Sequence, residues 1–164
     1  MILVALGANL PSTAGPPEAT LHAALDALVR AGVAPHAVSH FWRTPAWPEP
    51  GDPPFINAAI AVGTTLEPEA LLKLLHEIET RFGRDRSAGK KRNAPRSLDL
   101  DLIDYNGRVQ AGPPTLPHPR VHERGFVLVP LRDIAPGWRH PVNGRTVDEL
   151  IAALPPEALR MERL

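Results

Sequence analysis

Between Leu98 and Ile103 the chain reads Leu-Asp-Leu-Asp-Leu-Ile. This short apolar stretch predicts a strand, because side chains on a strand alternate faces with a period of two. Leu98, Leu100 and Leu102 then share a face that needs a core, and Asp99 and Asp101 share the other. Asp is disfavoured in strands, so two of them at alternate positions need a reason. Adjacent carboxylates repel unless a cation lies between them. Hard oxygen ligands suit Mg²⁺, which is usually held by one or two carboxylates together with substrate phosphates. Just upstream lies a basic segment with Arg81, Arg84, Arg86, Lys90, Lys91, Arg92 and Arg96. A carboxylate pair beside guanidinium groups is suited to handling polyphosphate. The plainer alternative is a solvated acidic face next to a basic loop.

At 164 residues the chain suits a single domain, residues 1–164, with a core large enough to fold alone. Its 18 basic and 18 acidic residues balance, which argues against general electrostatic binding to nucleic acid or to an anionic membrane. There is no cysteine, hence no disulfide, no thiolate metal site and no thiol nucleophile. No apolar run approaches a membrane span. Met1 to Leu6 has no basic flank and runs straight into Gly7-Ala8-Asn9, so it reads as a strand rather than a signal peptide, and a cytoplasmic location is expected.

Residues 2–6 form an apolar run that predicts a buried strand ending at Gly7-Ala8-Asn9. From Glu18, Leu21, Leu25, Leu28 and Val29 fall at helical spacing, and Gly32 stops that helix. Val33 to Arg43 alternates as a second strand. The proline-rich stretch 44–54 is a long loop, a feature usually functional or disordered in a compact domain. Phe55 to Val62 reads as a third strand. Pro68 opens a helix with the stripe Leu71, Leu74, Leu75, Ile78 and Phe82, closed by Gly83. The Asp99/Asp101 strand runs to about Tyr105 and turns at Asn106-Gly107. Phe126 to Ile134 predicts a short helix. Thr146-Val147-Asp148-Glu149 is a capping-box pattern for a last helix ending near Leu154. Strand, helix, strand, strand, helix, strand is the ferredoxin-like β-α-β-β-α-β order. An α+β sandwich is expected: an antiparallel sheet with both main helices on one face, a helical C-terminal addition, and the site in the loops.

Familiar nucleotide motifs are missing. Gly83 and Gly89 are separated by five residues rather than four, and Lys90 is followed by Lys91, so no Gly-x₄-Gly-Lys-Ser/Thr loop exists. No Gly-x-Gly-x-x-Gly, Gly-x-Ser-x-Gly or His-Glu-x-x-His occurs either. His76-Glu77-x-Glu79 reads as a helix face rather than a zinc site.

Four stretches carry a family resemblance: Leu6-Gly7-Ala8-Asn9-Leu10; Phe41-Trp42-Arg43-Thr44-Pro45 with Phe55-Ile56-Asn57-Ala58; Arg84-x-Arg86 with Asn93-Ala94-Pro95-Arg96-Ser97-Leu98-Asp99-Leu100-Asp101; and Leu116-Pro117-His118-Pro119-Arg120 with His122-Glu123-Arg124-Gly125-Phe126. In this order they resemble the 6-hydroxymethyl-7,8-dihydropterin pyrophosphokinases of folate biosynthesis, over roughly residues 1–136. The resemblance implies transfer of pyrophosphate from ATP to the pterin hydroxymethyl group, with release of AMP. It implies two Mg²⁺ ions on Asp99 and Asp101, and Arg84 and Arg96 as catalytic donors to the transferred group. It implies ATP contacts from His76, Glu79, Arg86, Leu102, His118 and Arg124. The pterin would stack on Phe55 and Phe126, and Thr44, Pro45 and Asn57 would line its edge. Asn57 also stands out by itself, because a buried amide in an apolar strand needs partners. Asn93-Ala94 stands where some members carry Trp-Gly.

The resemblance further implies that the loops 44–54 and 84–95 close over the substrates, and that the protein acts as a monomer on small molecules. Two other classes share parts of this pattern. A ferredoxin-like binding module for nucleotide or RNA would present a basic sheet face with aromatics, whereas here the basic residues sit beside two aspartates. A two-metal phosphohydrolase would share the aspartates but would not need Phe55, Asn57 and Phe126.

Overall fold

The fold is given by a computed structural model, which describes residues 1–46, 51–83 and 97–164. The elements in chain order are β1 (Ile2–Ala8), α1 (Pro17–Arg30), β2 (Ala34–Val38), β3 (Trp42–Thr44), β4 (Phe55–Gly63), α2 (Pro68–Arg81), β5 (Asp99–Tyr105), α3 (Gly125–Ile134), α4 (Val147–Ala152) and β6 (Glu162–Arg163). Short 3₁₀ turns occupy Val121–Glu123 and Pro156–Leu159. The sheet has the order β5-β1-β4-β3-β6, with β2 also paired to β4, and its pairings are antiparallel. Among the described residues no helix is long and apolar enough to cross a membrane.

The central strands β1 and β4 are apolar at nearly every position because both faces of the sheet are covered. On the first face Val4, Leu6, Ile60 and Leu100 pack against Leu21 and Leu28 of α1 and Leu71, Leu75 and Ile78 of α2. Both main helices thus lie on one face, as the order of strands and helices predicts. On the second face Leu3, Ala5, Ala59, Ala61 and Ile103 pack against Val127, Leu128 and Leu131 of α3 and Leu150 and Ile151 of α4. The alanines on this face allow α3 to approach β4 closely.

A bulge in β5 marks where packing changes to chemistry. Leu3 pairs with Asp104 and Val4 with Leu102, leaving Ile103 as the extra residue. Ile103 and Asp104 consequently both serve the second face, where the buried Asp104 accepts from Trp138 Nε1–H at 2.8 Å.

Two expectations change. Val33 to Arg43 is two strands, not one. Ser39 Oγ accepts from the Ala59 amide at 2.9 Å and donates to the His40 carbonyl at 2.7 Å, so a side chain takes a position in the ladder and the strand breaks there. The C-terminal addition, expected to be helical, is more than that: Trp138 joins the second core, and β6 extends the sheet along β3. The last helix is capped by Thr146 Oγ1, which accepts from the Glu149 amide at 3.1 Å, and it ends at Ala152.

Candidate active site

The candidate residues converge because the register puts them in rows. Gly7 of β1 pairs with Asn57 on one side and with Asp99 on the other. Ala5 likewise pairs with Asp101. Asp99, Gly7 and Asn57 thus form one cross-strand row, and Asp101 stands in the next. Side chains of paired residues point to the same face. Asp99 and Asp101 share the second face with Ile103, but beyond the end of the α3 packing, and both are partly exposed. Leu98, Leu100 and Leu102 turn into the first core, as their alternation requires. The Leu102 side chain, 3% exposed, accordingly faces away from the acids.

Gly7 makes room in this row. A Cβ on Gly7 would lie 2.6 Å from Asn57 Oδ1 and 3.8 Å from the Phe55 ring. The Asn57 amide leans into that space, and its Nδ2–H donates to Thr44 Oγ1 at 2.8 Å in a buried setting. Thr44 and Asn57 are buried, Phe55 is half-buried beside them, and Pro45 is exposed. Asn9, buried at the end of β1, donates from Nδ2 to the Pro53 carbonyl at 3.0 Å. That bond ties the returning end of the proline-rich stretch to β1.

The start of α3 supplies the opposite wall. Phe126 is 39% exposed, too open for a core residue. Arg124, immediately before the helix, has its guanidinium 5.6 Å from the Phe126 ring centroid. Its Nη1 lies 3.5 Å from Asp101 Oδ2, with side chains 16% and 29% exposed. One cation therefore bridges the acidic strand and the exposed aromatic ring. His118 is half-buried beside β5: its amide donates to the Ile103 carbonyl at 2.9 Å, and Nδ1 accepts from the Arg120 amide at 3.1 Å. An accepting Nδ1 leaves the ring proton of the neutral imidazole on Nε2. Arg120 in turn is paired with Glu123, whose carboxyl its guanidinium holds below the usual carboxylate range.

Helix α2 supports the acidic strand from beneath. Glu79 is fully buried, and its Oε2 accepts from the Leu100 amide, the residue between the two aspartates, at 3.1 Å. His76, one turn earlier, is half-buried. Gly83 ends α2 with φ +91°, a left-handed conformation that glycine adopts without a steric penalty. Ser97 Oγ donates to the Phe82 carbonyl at 2.5 Å, joining the residues that flank the basic segment. Arg84, Arg86 and Arg96 lie outside the described residues, as do the whole of the loop 84–95 and Trp47 to Pro50 of the loop 44–54.

Three contributors were not singled out in the sequence. Gly7 matters for its missing side chain, and its signals were its place at the end of an apolar run and in the Leu6-Gly7-Ala8-Asn9-Leu10 stretch of the resemblance, neither of which gave it a role. Asn9 was read as a strand stop and as part of that stretch, with no contact of its own. Asp133, in the last turn of α3, accepts at Oδ2 from Trp42 Nε1–H at 3.0 Å and from the His40 amide at 3.3 Å. It fixes β3 to α3 across 91 residues of sequence, a pairing that local pattern does not encode.

The sequence model of the 7,8-dihydro-6-hydroxymethylpterin-pyrophosphokinase family matches residues 3–136. A Synechocystis protein named 2-amino-4-hydroxy-6-hydroxymethyldihydropteridine pyrophosphokinase is 39% identical, over 91% of this chain and 73% of its own length. Proteins of the same name from Methylorubrum extorquens and Pseudomonas aeruginosa are 39% and 38% identical, covering 92% and 99% of this chain and 94% and 96% of theirs. By that match and these relatives, the chain belongs to the 7,8-dihydro-6-hydroxymethylpterin-pyrophosphokinase family.

Proposed function

We propose that the protein transfers the β,γ-pyrophosphoryl group of ATP to the hydroxymethyl oxygen of 6-hydroxymethyl-7,8-dihydropterin and releases AMP. The observation that carries this reading is the position of Arg124, 3.5 Å from Asp101 and 5.6 Å from the Phe126 ring centre. A phosphate-binding half and a flat-ring half meet at one guanidinium. The order β5-β1-β4, with α1 and α2 on one face, supports the ferredoxin-like reading of the sheet.

In the reaction the hydroxymethyl oxygen attacks the β-phosphorus, the bond between that phosphorus and the α,β-bridging oxygen breaks, and the hydroxyl proton is lost. Asp99 and Asp101 are hard oxygen donors on one strand face, half open to the site, and so fit Mg²⁺; we assign two ions to them. Bound there, Mg²⁺ would neutralise charge on the triphosphate and orient it in line. Arg124, paired with Asp101, is assigned to ATP. Arg84 and Arg96 are assigned to the transferred group and Arg86 to ATP on the sequence alone. His118 and His76 are assigned to ATP by the resemblance; His118 Nδ1 accepts from the Arg120 amide, which puts the ring proton of the neutral imidazole on Nε2. The burial of Glu79 suits support of β5 rather than direct contact with ATP, and Leu102 would meet a nucleotide through its main chain. Phe55 and Phe126 offer faces to the pterin ring, with ring contacts of this kind contributing about 0.5–1.5 kcal/mol beyond area burial. Thr44, Pro45 and Asn57 line its edge, where an amide supplies both donor and acceptor.

The test supplies ATP, Mg²⁺ and 6-hydroxymethyl-7,8-dihydropterin and identifies the nucleotide product. AMP that forms only with pterin present is expected. ADP would mean transfer of a single phosphoryl group, and inorganic phosphate released without pterin would mean a phosphohydrolase.

A further inference from the structure

Residues 156–164 lie beyond the 3–136 match, yet they touch both walls of the candidate pterin site. At one end the 3₁₀ turn Pro156–Leu159 presses on the first residue of α3. A Cβ on Gly125 would meet the Ala158 carbonyl oxygen at 2.1 Å and Leu159 Cδ2 at 3.4 Å. Only glycine fits under that carbonyl without a backbone shift. The next residue is Phe126. Leu159 and Met161 then pack against the second core. At the other end β6 pairs with β3, Arg163 opposite Trp42 and Glu162 opposite Arg43. The Leu164 amide donates to the Phe41 carbonyl at 2.9 Å, and Glu162 pairs with Arg43 at 3.2 Å. The next residue along β3 is Thr44, the partner of Asn57. A cleft of about 420 Å³ separates Arg160 and Glu162 from Pro45, Ala46, Asp52 and Pro54 of the proline-rich stretch.

We propose that residues 156–164 are a positioning segment for the pterin: they tie the first turn of α3, which carries Phe126, to β3, which carries Thr44, and so set the gap that the flat ring enters. Asp133 makes the matching tie at the last turn of α3, through Trp42 and His40. With both ends of α3 held to the β2–β3 region, the ring-stacking wall cannot drift from the edge-reading wall. The inference rests on the pyrophosphokinase reading above.

Two variants of the full chain test it. Leu164→Pro removes the amide that donates to Phe41 and loosens β6 from β3. Gly125→Ala drives the Ala158 carbonyl away from α3. KM for pterin, KM for ATP, kcat and the thermal midpoint are measured for each beside the unsubstituted chain. Displacement of a binding group by about an ångström is costly, so Leu164→Pro is expected to raise the pterin KM about three- to tenfold and leave the ATP KM within about twofold. Gly125→Ala is expected to raise the pterin KM about tenfold. Unchanged pterin KM in both variants overturns the proposal. So does an equal rise in both KM values with a lowered thermal midpoint, which would make the segment a general support. If the unsubstituted chain forms no AMP, the pyrophosphokinase reading itself fails, and this inference falls with it.

Discussion

The two faces of the sheet are built from the same strands, yet they do different work. The first face is covered from end to end by α1 and α2, and its residues from β1, β4 and β5 are all apolar. The second is covered by α3 and α4 only over part of its length. Along one face of β5, Ile103 and Asp104 are sealed under that cover, whereas Asp99 and Asp101 emerge beyond it. A helix pair that stops short turns one end of a core surface into a site. The core beneath then holds the site rigid, because packed interiors resist small displacements.

The contrast makes opposite demands on substitutions on the two faces. The largest effect is expected at the open end of the second face. Asp99→Ala and Asp101→Ala should each lower kcat by about 10²–10³-fold while the thermal midpoint stays near that of the parent. Retained turnover in both would remove the metal assignment. Leu28→Ala, on the covered first face, should do the reverse. Urea unfolding should show a loss of about 2–5 kcal/mol, with kcat per folded molecule unchanged. A matching fall in kcat would mean that the faces are not separable.

Smaller effects sharpen the division within the second face. Phe126→Ala should weaken pterin binding by roughly 10- to 100-fold, as loss of a base-like stack costs about 1–3 kcal/mol, while titration of ATP alone changes little. Equal weakening of both substrates would place Phe126 in packing. Gly7→Ala should push Asn57 aside and raise the pterin KM about three- to tenfold, the value of a hydrogen bond. A crystal structure with Asn57 unmoved would refute that account.

The smallest effect belongs to the sealed end. His140 is buried, and its Nδ1 accepts from the amides of Val142 and Asn143 at 3.2 and 3.4 Å. Burial first, and then the neighbouring His122, push its pKa below the usual histidine value, against an opposing pull from Asp104. The unfolded chain therefore binds a proton more readily. The stabilisation is complete above the ordinary value of about 6.5 and is lost as pH falls through and below it. His140→Asn keeps an acceptor for the two amides but cannot titrate. Thermal midpoints between pH 7.5 and 5 should fall less steeply for the variant than for the parent; parallel slopes would exclude His140 as the group responsible.

Much of this was legible along the chain. Alternating Leu and Asp at 98–102 set which side chains of β5 enter the core, since strand geometry has a period of two. The stripes Leu21-Leu25-Leu28 and Leu71-Leu75-Ile78 set α1 and α2, and Thr146 with Glu149 set the start of α4. Asn57 stood out as a polar group in an apolar strand. These are local signals, carried by residues within a turn or two of one another.

Tertiary structure decided the rest, because the deciding contacts join residues far apart in sequence. The bulge that turns Asp104 inward answers Trp138, 34 residues away. The break at Ser39 depends on the Ala59 amide, and the space over Gly7 matters only because the register places Asn57 there. Arg124 meets Asp101 because α3 packs on the second face of the sheet, chiefly over β4, and β6 exists because β3 offers an open edge with Arg43 facing Glu162. Patterns of period two or 3.6 specify which face a residue takes. They do not specify which distant residue will stand opposite, and that choice follows from packing the two faces together.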